Sequence, residues 1–210
     1  MMKSLDIACL VSGSGTNLQA IIDRIETGAL DVRIAAVISN VPGAYAIERA
    51  RKHGIPAFTV DHKQYARRED FEQALIDVID DKQAKLVCLC GFMRIFTPAF
   101  IAHYPNRIIN IHPALLPDFG GKGFYGRHVH EAVLKSGVKT SGCTVHIVDD
   151  QPDHGPIILQ KTVPVLPGDT AETLAARVLE QEHVAFSEAI QLFAHDRVEI
   201  KNGLAVIKPL

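Results

Sequence analysis

The sequence predicts a three-layer α/β fold around a mostly parallel, twisted sheet, with antiparallel strands in the C-terminal half. Three observations carry this. Short apolar runs alternate with amphipathic helical stretches through the first half, a pattern that implies right-handed crossovers between parallel strands. The second half changes character, with two β-rich runs separated by a turn instead of a helix. Finally, 210 residues at 47% hydrophobic content suffice for one sizeable core.

Taken in order, Leu5 to Val11 is an apolar strand ending in the Gly-rich Ser12-Gly13-Ser14-Gly15. Leu18, Ile21, Ile22 and Ile25 then fall on one helical stripe. Val32 to Ile38 is a second strand, Tyr45 to His53 a helix closed by Gly54, and Pro56 to Val60 a third strand. Arg68 to Asp81 carries Phe71, Leu75, Ile76 and Ile79 at helical spacing. Leu86 to Cys90, Pro98 to His103 and Ile108 to His112 read as strand, short helix and strand. A Gly-rich loop at 118–126 leads to a helix over Arg127 to Lys135. Thr140 to Val148 and Ile157 to Val165 are the β-rich runs, and Ala171 to Phe193 is a long helix. Asn202-Gly203 joins Val198 to Lys201 and Leu204 to Ile207 as a hairpin, because Asn-Gly supplies the positive φ angles a tight turn needs. No linker interrupts the chain, so the expectation is a single domain over 1–210.

Charge narrows the function. Lys and Arg number 22 against 24 Asp and Glu, a formal net charge of −2, so no basic surplus points to nucleic acid and no polybasic run to a membrane. The apolar runs are too short to span a bilayer, and the N-terminus lacks a signal-peptide layout, so a cytoplasmic protein is expected. Cys9, Cys88, Cys90 and Cys143 all lie in strand-like segments and read as buried, reduced thiols. Ten histidines include no His-Glu-x-x-His pattern, and no metal is expected.

The most informative stretch is Asn110-Ile111-His112-Pro113-Ala114-Leu115-Leu116-Pro117. Asn110 and His112 are two apart on a strand, so their side chains project to the same face. Two prolines stop the strand. An amide and an imidazole side by side suit a polar reaction intermediate, although strand ends are often polar for turn formation alone. In Ser12-Gly13-Ser14-Gly15-Thr16-Asn17, glycines let backbone N–H groups approach an anion at a helix N-terminus. Leu18 stands where a dinucleotide fingerprint needs glycine, and the second strand ends in Ser39-Asn40 without a ribose-binding acid. A single phosphate is therefore expected at the loop, with Thr16 or Asn17 capping the helix or hydrogen-bonding the ligand. A carboxylate beside His112 would raise its pKa and favour the imidazolium, an oxyanion stabiliser. By local spacing Asp149, Asp150 and Asp153 are equal candidates.

Four ordered segments decide among these. Ser12 to Ala20, Gly91-Phe92-Met93-Arg94-Ile95, Asn110 to Pro117 and Asp153-His154-Gly155-Pro156 stand in the order and spacing of the phosphoribosylglycinamide formyltransferase family. The chain resembles that family through Arg177 to His183. The resemblance implies a Rossmann-like fold, with residues 1–112 as the phosphate-binding half and 113–210 as the folate-contacting, closing half. It also implies formyl transfer from 10-formyltetrahydrofolate to the amine of glycinamide ribonucleotide. Asn110, His112 and Asp153 would be the catalytic trio. Asn110 and protonated His112 would hold the oxygen of the tetrahedral adduct, His112 would act as general acid, and Asp153 would sustain its charge. Gly15, Thr16, Asn17 and Glu182 would hold the phosphoribosyl group. Arg68, Met93, Arg94, Ile95, Phe96 and Asn110 would meet the folate, with the turn containing Asp149 and Asp150 reading the pterin. Both partners would be small molecules, and the protein a monomer or homodimer.

The chain also departs from the family. The loop Gly120 to Gly126 is longer and richer in glycine than in shorter-looped members, so folate contacts there do not carry over, and Lys122 is read as solvated. His154 stands where a smaller residue is common and could crowd the turn or add a second titrating group, and Leu179 stands where a polar residue is frequent and receives no substrate role. Formyltetrahydrofolate hydrolase and methionyl-tRNA formyltransferase share the Asn-His-Asp chemistry. The first carries an extra N-terminal domain and the second an extra C-terminal one, and neither is expected here. A non-catalytic nucleotide-binding module would not need the trio.

Overall fold

The computed structural model describes residues 4–209. In chain order its elements are β1 (Leu5–Val11), α1 (Thr16–Glu26), β2 (Val32–Ser39), α2 (Tyr45–Lys52), β3 (Ala57–Thr59), α3 (Arg68–Asp81), β4 (Leu86–Leu89), α4 (Pro98–His103) and β5 (Ile108–His112). There follow α5 (Arg127–Ser136), β6 (Thr140–Ile147), β7 (Ile157–Pro164), α6 (Ala171–Ala194), β8 (Val198–Lys201) and β9 (Leu204–Ile207). The first seven strands make one sheet in the order β3-β2-β1-β4-β5-β6-β7. Strands β1 to β5 run parallel, and β6 and β7 join antiparallel. β8 and β9 form a separate hairpin.

The layers follow from the strand sequences. Along β1, Ile7, Cys9 and Val11 face a core built with α1, α2, α5 and α6. Ala8 and Leu10 face a second core built with Phe71, Leu75 and Ile79 of α3 and Phe100 of α4. A strand covered on both faces has no polar alternation, which is why these runs are continuously apolar. Burial pushes the Cys143 thiol up to about 12 and raises Cys88, while a hydrogen bond with Cys9, together with burial, raises Cys90, so these side chains serve as core.

The chain leaves β1 toward β2 and β3, then returns to place β4 on the other side of β1. Strand order therefore reverses between β1 and β4, and the carboxyl ends there open a crevice where α/β sheets bind ligands. Strand and helix ends fall within about two residues of the sequence reading. A single 3₁₀ turn at His62–Gln64 had no periodic signal, since it is held locally by Asp61, whose Oδ1 accepts the Lys63 N–H at 3.0 Å and whose Oδ2 accepts Gln64 Nε2–H at 3.3 Å.

Candidate active site

β5 ends at the crevice with Asn110 and His112 two residues apart, paired across β6 with His146 and Thr144. His112 is 3% exposed. Its Nε2 lies 2.8 Å from the Phe119 carbonyl, which can only accept, so that nitrogen carries the hydrogen. The other nitrogen, Nδ1, lies 3.4 Å from Asp153 Oδ2. Asp153 Oδ2 also accepts the Gly121 N–H at 3.0 Å, while its Oδ1 sits 3.6 Å from His146 Nε2. Asn110 Nδ2 lies 3.2 Å from that same His146 nitrogen, and His146 Nδ1 lies 2.9 Å from the Ile147 carbonyl. Of the three candidate carboxylates, Asp153 is the one brought to His112. His146, which sequence reasoning missed, links Asn110 to Asp153. Its signal was a Thr144-x-His146 alternation on a strand, readable only once the antiparallel partner is known.

Backbone geometry fixes these groups. Asp153 has φ +55°, a left-handed conformation that Asp tolerates better than most residues. Two residues on, a Cβ at Gly155 would run into the Ile147 carbonyl, so only glycine lets the turn lie on β6. On the other side, Thr144 Oγ1 donates to Ala114 O at 2.7 Å and accepts Leu116 N–H at 3.0 Å. Gln160 Nε2 donates to Leu116 O at 3.0 Å and Thr144 Oγ1 at 2.9 Å. The segment leading to Phe119 is thus tied to β6 and β7.

Electrostatics correct one expectation. The carboxylate beside His112 does favour the imidazolium, but burial outweighs Asp153 and the Phe119 carbonyl, and the His112 pKa lies below its ordinary value. Burial alone would raise Asp153. The His146 imidazole, the His112 charge and the Gly121 N–H together overcome it and hold the carboxyl below its usual range. Burial also lowers His130 and His183. A folded state that resists protonating these three histidines binds fewer protons than the unfolded chain below pH 6.5, so stability falls as pH drops through that value. Thermal unfolding should shift downward from pH 7 to 5, at no more than about 1.4 kcal/mol per pH unit for each histidine. His130→Asn should flatten this slope. A midpoint independent of pH across this range would contradict it.

At the Gly-rich loop, Gly15 adopts φ +72° and a Cβ there would overlap Ala46 of α2. Neither Thr16 nor Asn17 caps α1, because Gly15 is the capping residue and offers no side chain. Asn17 instead donates from Nδ2 to Glu182 Oε2 at 2.9 Å, a bond buried between α1 and α6. Burial raises the Glu182 carboxyl, and the Asn17 bond offsets part of the rise. Arg49 Nε–H donates to the Ser14 carbonyl at 2.8 Å and so braces the loop from α2.

The crevice holds a cavity of about 970 Å³. Asn110, His112 and Asp153 line it, as do Asn17, Glu182, Met93, Arg94, Ile95, Phe96 and Asp149. Gly15, Thr16, Arg68 and Asp150 do not line it. Arg68 turns to Glu72, with Nε 3.2 Å from Oε1. Glu72 is buried and also accepts the Thr97 N–H at 2.8 Å and the Thr97 hydroxyl. Lys122 and Leu179 lie on the cavity wall, as does buried His130, which the sequence did not single out. His154 donates from Nδ1 to Asp149 Oδ2 at 2.7 Å, which raises the His154 pKa.

A crevice at the switch point of a doubly wound sheet, with an amide, an imidazole and a carboxylate converging at its floor, defines an acyl-transfer enzyme. The family model for formyl transferase matches residues 5–190, and the chain belongs to that family. It is 41% identical over 201 residues to the phosphoribosylglycinamide formyltransferase of Escherichia coli K12, covering 96% of this chain and 92% of that one. The solved glycinamide ribonucleotide transformylase 1 of Symbiobacterium toebii superposes with a TM-score of 0.93 at 45% identity, covering 98% and 95% of the two chains. The trifunctional purine biosynthetic protein adenosine-3 of Gallus gallus is 43% identical over 198 residues, which is 94% of this chain. The chain spans about a fifth of that protein's length (19%). A formyltetrahydrofolate deformylase from Pseudomonas syringae shares the fold at lower identity, 26%, with a TM-score of 0.88 over 99% of this chain and 67% of that one.

Proposed function

We infer that the protein is a phosphoribosylglycinamide formyltransferase, moving the formyl group of 10-formyltetrahydrofolate to the amine of glycinamide ribonucleotide. What carries the reading is that a polar pair suited to a phosphoribosyl group, Asn17 and Glu182, opens onto the same cavity as Asn110, His112 and Asp153. The folate fits the remaining wall, where Met93 and Ile95 are 56% and 58% exposed beside the turn at Asp149. Neighbouring exposed apolar side chains lining a concave site form the kind of patch that marks a ligand groove.

In this reading Gly15, Thr16 and the open N-terminus of α1 hold the phosphate, and Asn17 and Glu182 orient the ribose and the glycinamide amine. Asn110 and His112 face the formyl oxygen as it gains charge on attack by the amine. With Nε2 held by Phe119, His112 works through Nδ1, the nitrogen facing Asp153. Asp153 receives the amine proton, directly or through water, and Nδ1 returns a proton to the departing folate nitrogen. Because burial lowers its pKa, the imidazolium that His112 needs forms only beside the ionised Asp153. Arg68 and Asp150, outside the cavity wall, are assigned to the outer parts of the folate. Residues 1–112 thereby form the phosphate-binding half, and residues 113–210 complete the folate site and add Glu182 to the nucleotide site. The enzyme works in the cytoplasm on small molecules.

Purified protein mixed with glycinamide ribonucleotide and 10-formyltetrahydrofolate should give formylated nucleotide and tetrahydrofolate. Formate without formylated nucleotide would establish a hydrolase instead, and absence of turnover would leave a binding module.

A further inference from the structure

The reaction brings two substrates together, and the chain ties their two sites by one side chain outside the catalytic group. Ser12 is the first residue after β1 and opens the phosphate loop. Its Oγ accepts the backbone N–H of Met93, 81 residues away, at 2.8 Å. Its hydroxyl hydrogen goes to Asn40 Oδ1 at 2.6 Å. Asn40 is 2% exposed at the end of β2, and its carbonyl lies 2.9 Å from His62 Nδ1. The hydroxyl therefore has both its donor and its acceptor capacity aimed, and it cannot rotate without breaking a bond.

The core holds the segment it grips at the buried, stacked Phe92 and Phe96, and leaves Met93, Arg94 and Ile95 between them exposed. Residues 91–97 form no helix or strand between β4 and α4, yet they present Met93, Arg94, Ile95 and Phe96 to the cavity. The far end is pinned by Glu72 on the N–H and hydroxyl of Thr97. The near end is pinned by Ser12. A shift of the phosphate loop therefore moves the anchor of the folate wall.

We propose that Ser12 is a positioning residue that couples the two substrates, so that occupation of the phosphate loop orders the Met93–Phe96 wall and tightens the folate. The inference rests on the function proposed above and names the route of communication between its two sites. Coupling of this kind is reciprocal, each ligand tightening the other by the same factor.

The test is calorimetric binding of tetrahydrofolate, with and without saturating glycinamide ribonucleotide. The intact protein should bind tetrahydrofolate about tenfold tighter with the nucleotide present, a gain in keeping with one partly buried hydrogen bond. In Ser12→Ala that ratio should fall to about one, with the folate KM raised far more than kcat is lowered. Ser12→Thr, which keeps the hydroxyl, should restore the ratio, and unchanged thermal midpoints in both variants would separate coupling from folding. A Ser12→Ala protein that keeps the intact ratio overturns the inference, as does an intact protein that binds both ligands independently. Failure of the intact protein to bind either ligand would overturn the functional reading, and this inference with it.

Discussion

His112→Ala should lower kcat by about 10²–10⁴ and leave both KM values nearly unchanged, measured by steady-state formylation of glycinamide ribonucleotide. The ring is held by the Phe119 carbonyl at 2.8 Å and faces Asp153 at 3.4 Å, so its removal takes away a proton donor and an oxyanion partner together. Neither role strengthens the ground state, which is why the loss belongs in kcat. Asp153→Asn should approach the same loss, because a neutral amide no longer supports the imidazolium against burial. The double variant should be little worse than either single one, since the two side chains act as a unit. Additive losses would show independent roles, and near-normal turnover in His112→Ala would remove it from the chemistry.

The second large effect belongs to a residue with no functional group. Gly155→Ala should cost on the order of 10² in kcat although Gly155 touches no substrate in this reading. Its Cβ would meet the Ile147 carbonyl, and the cheapest relief is to lift the turn that carries Asp153. A displacement of about 1 Å breaks the approach to His112, while overpacking of this kind costs about 1–3 kcal/mol of stability. Unfolding and activity measured on the same preparation separate the two. A variant of normal activity would show that the turn can shift without moving Asp153 away from His112.

What could be read beforehand and what could not divide along physical lines. Periodicity and turn chemistry are local, so Leu5–Val11, Arg68–Asp81 and Ala171–Ala194 were legible to within a residue or so. Asn110 and His112 were legible as a pair because side-chain alternation on a strand is also local. Asp153 was not, since nothing in its neighbourhood ranks it above Asp149 or Asp150, and the likeness to a known family made that choice. His146 escaped because antiparallel register is a property of two strands, and Glu72 because Thr97, which it binds, lies far along the chain just before α4. The sign of the His112 shift went the other way for a similar reason. A neighbouring carboxylate can be guessed from sequence, but the depth of burial that outweighs it belongs to the finished core.

The antiparallel return of β6 and β7 has a consequence for how the molecule comes into being. A chain formed only as far as β5 holds the phosphate loop, Asn110 and His112, but lacks Asp153, His146 and Glu182. Synthesis runs from the N-terminus and a domain folds as a unit, so the phosphate loop is made before the groups that activate the chemistry. Reactivity is thus the last property acquired, and an unfinished chain has no means to squander the formyl donor.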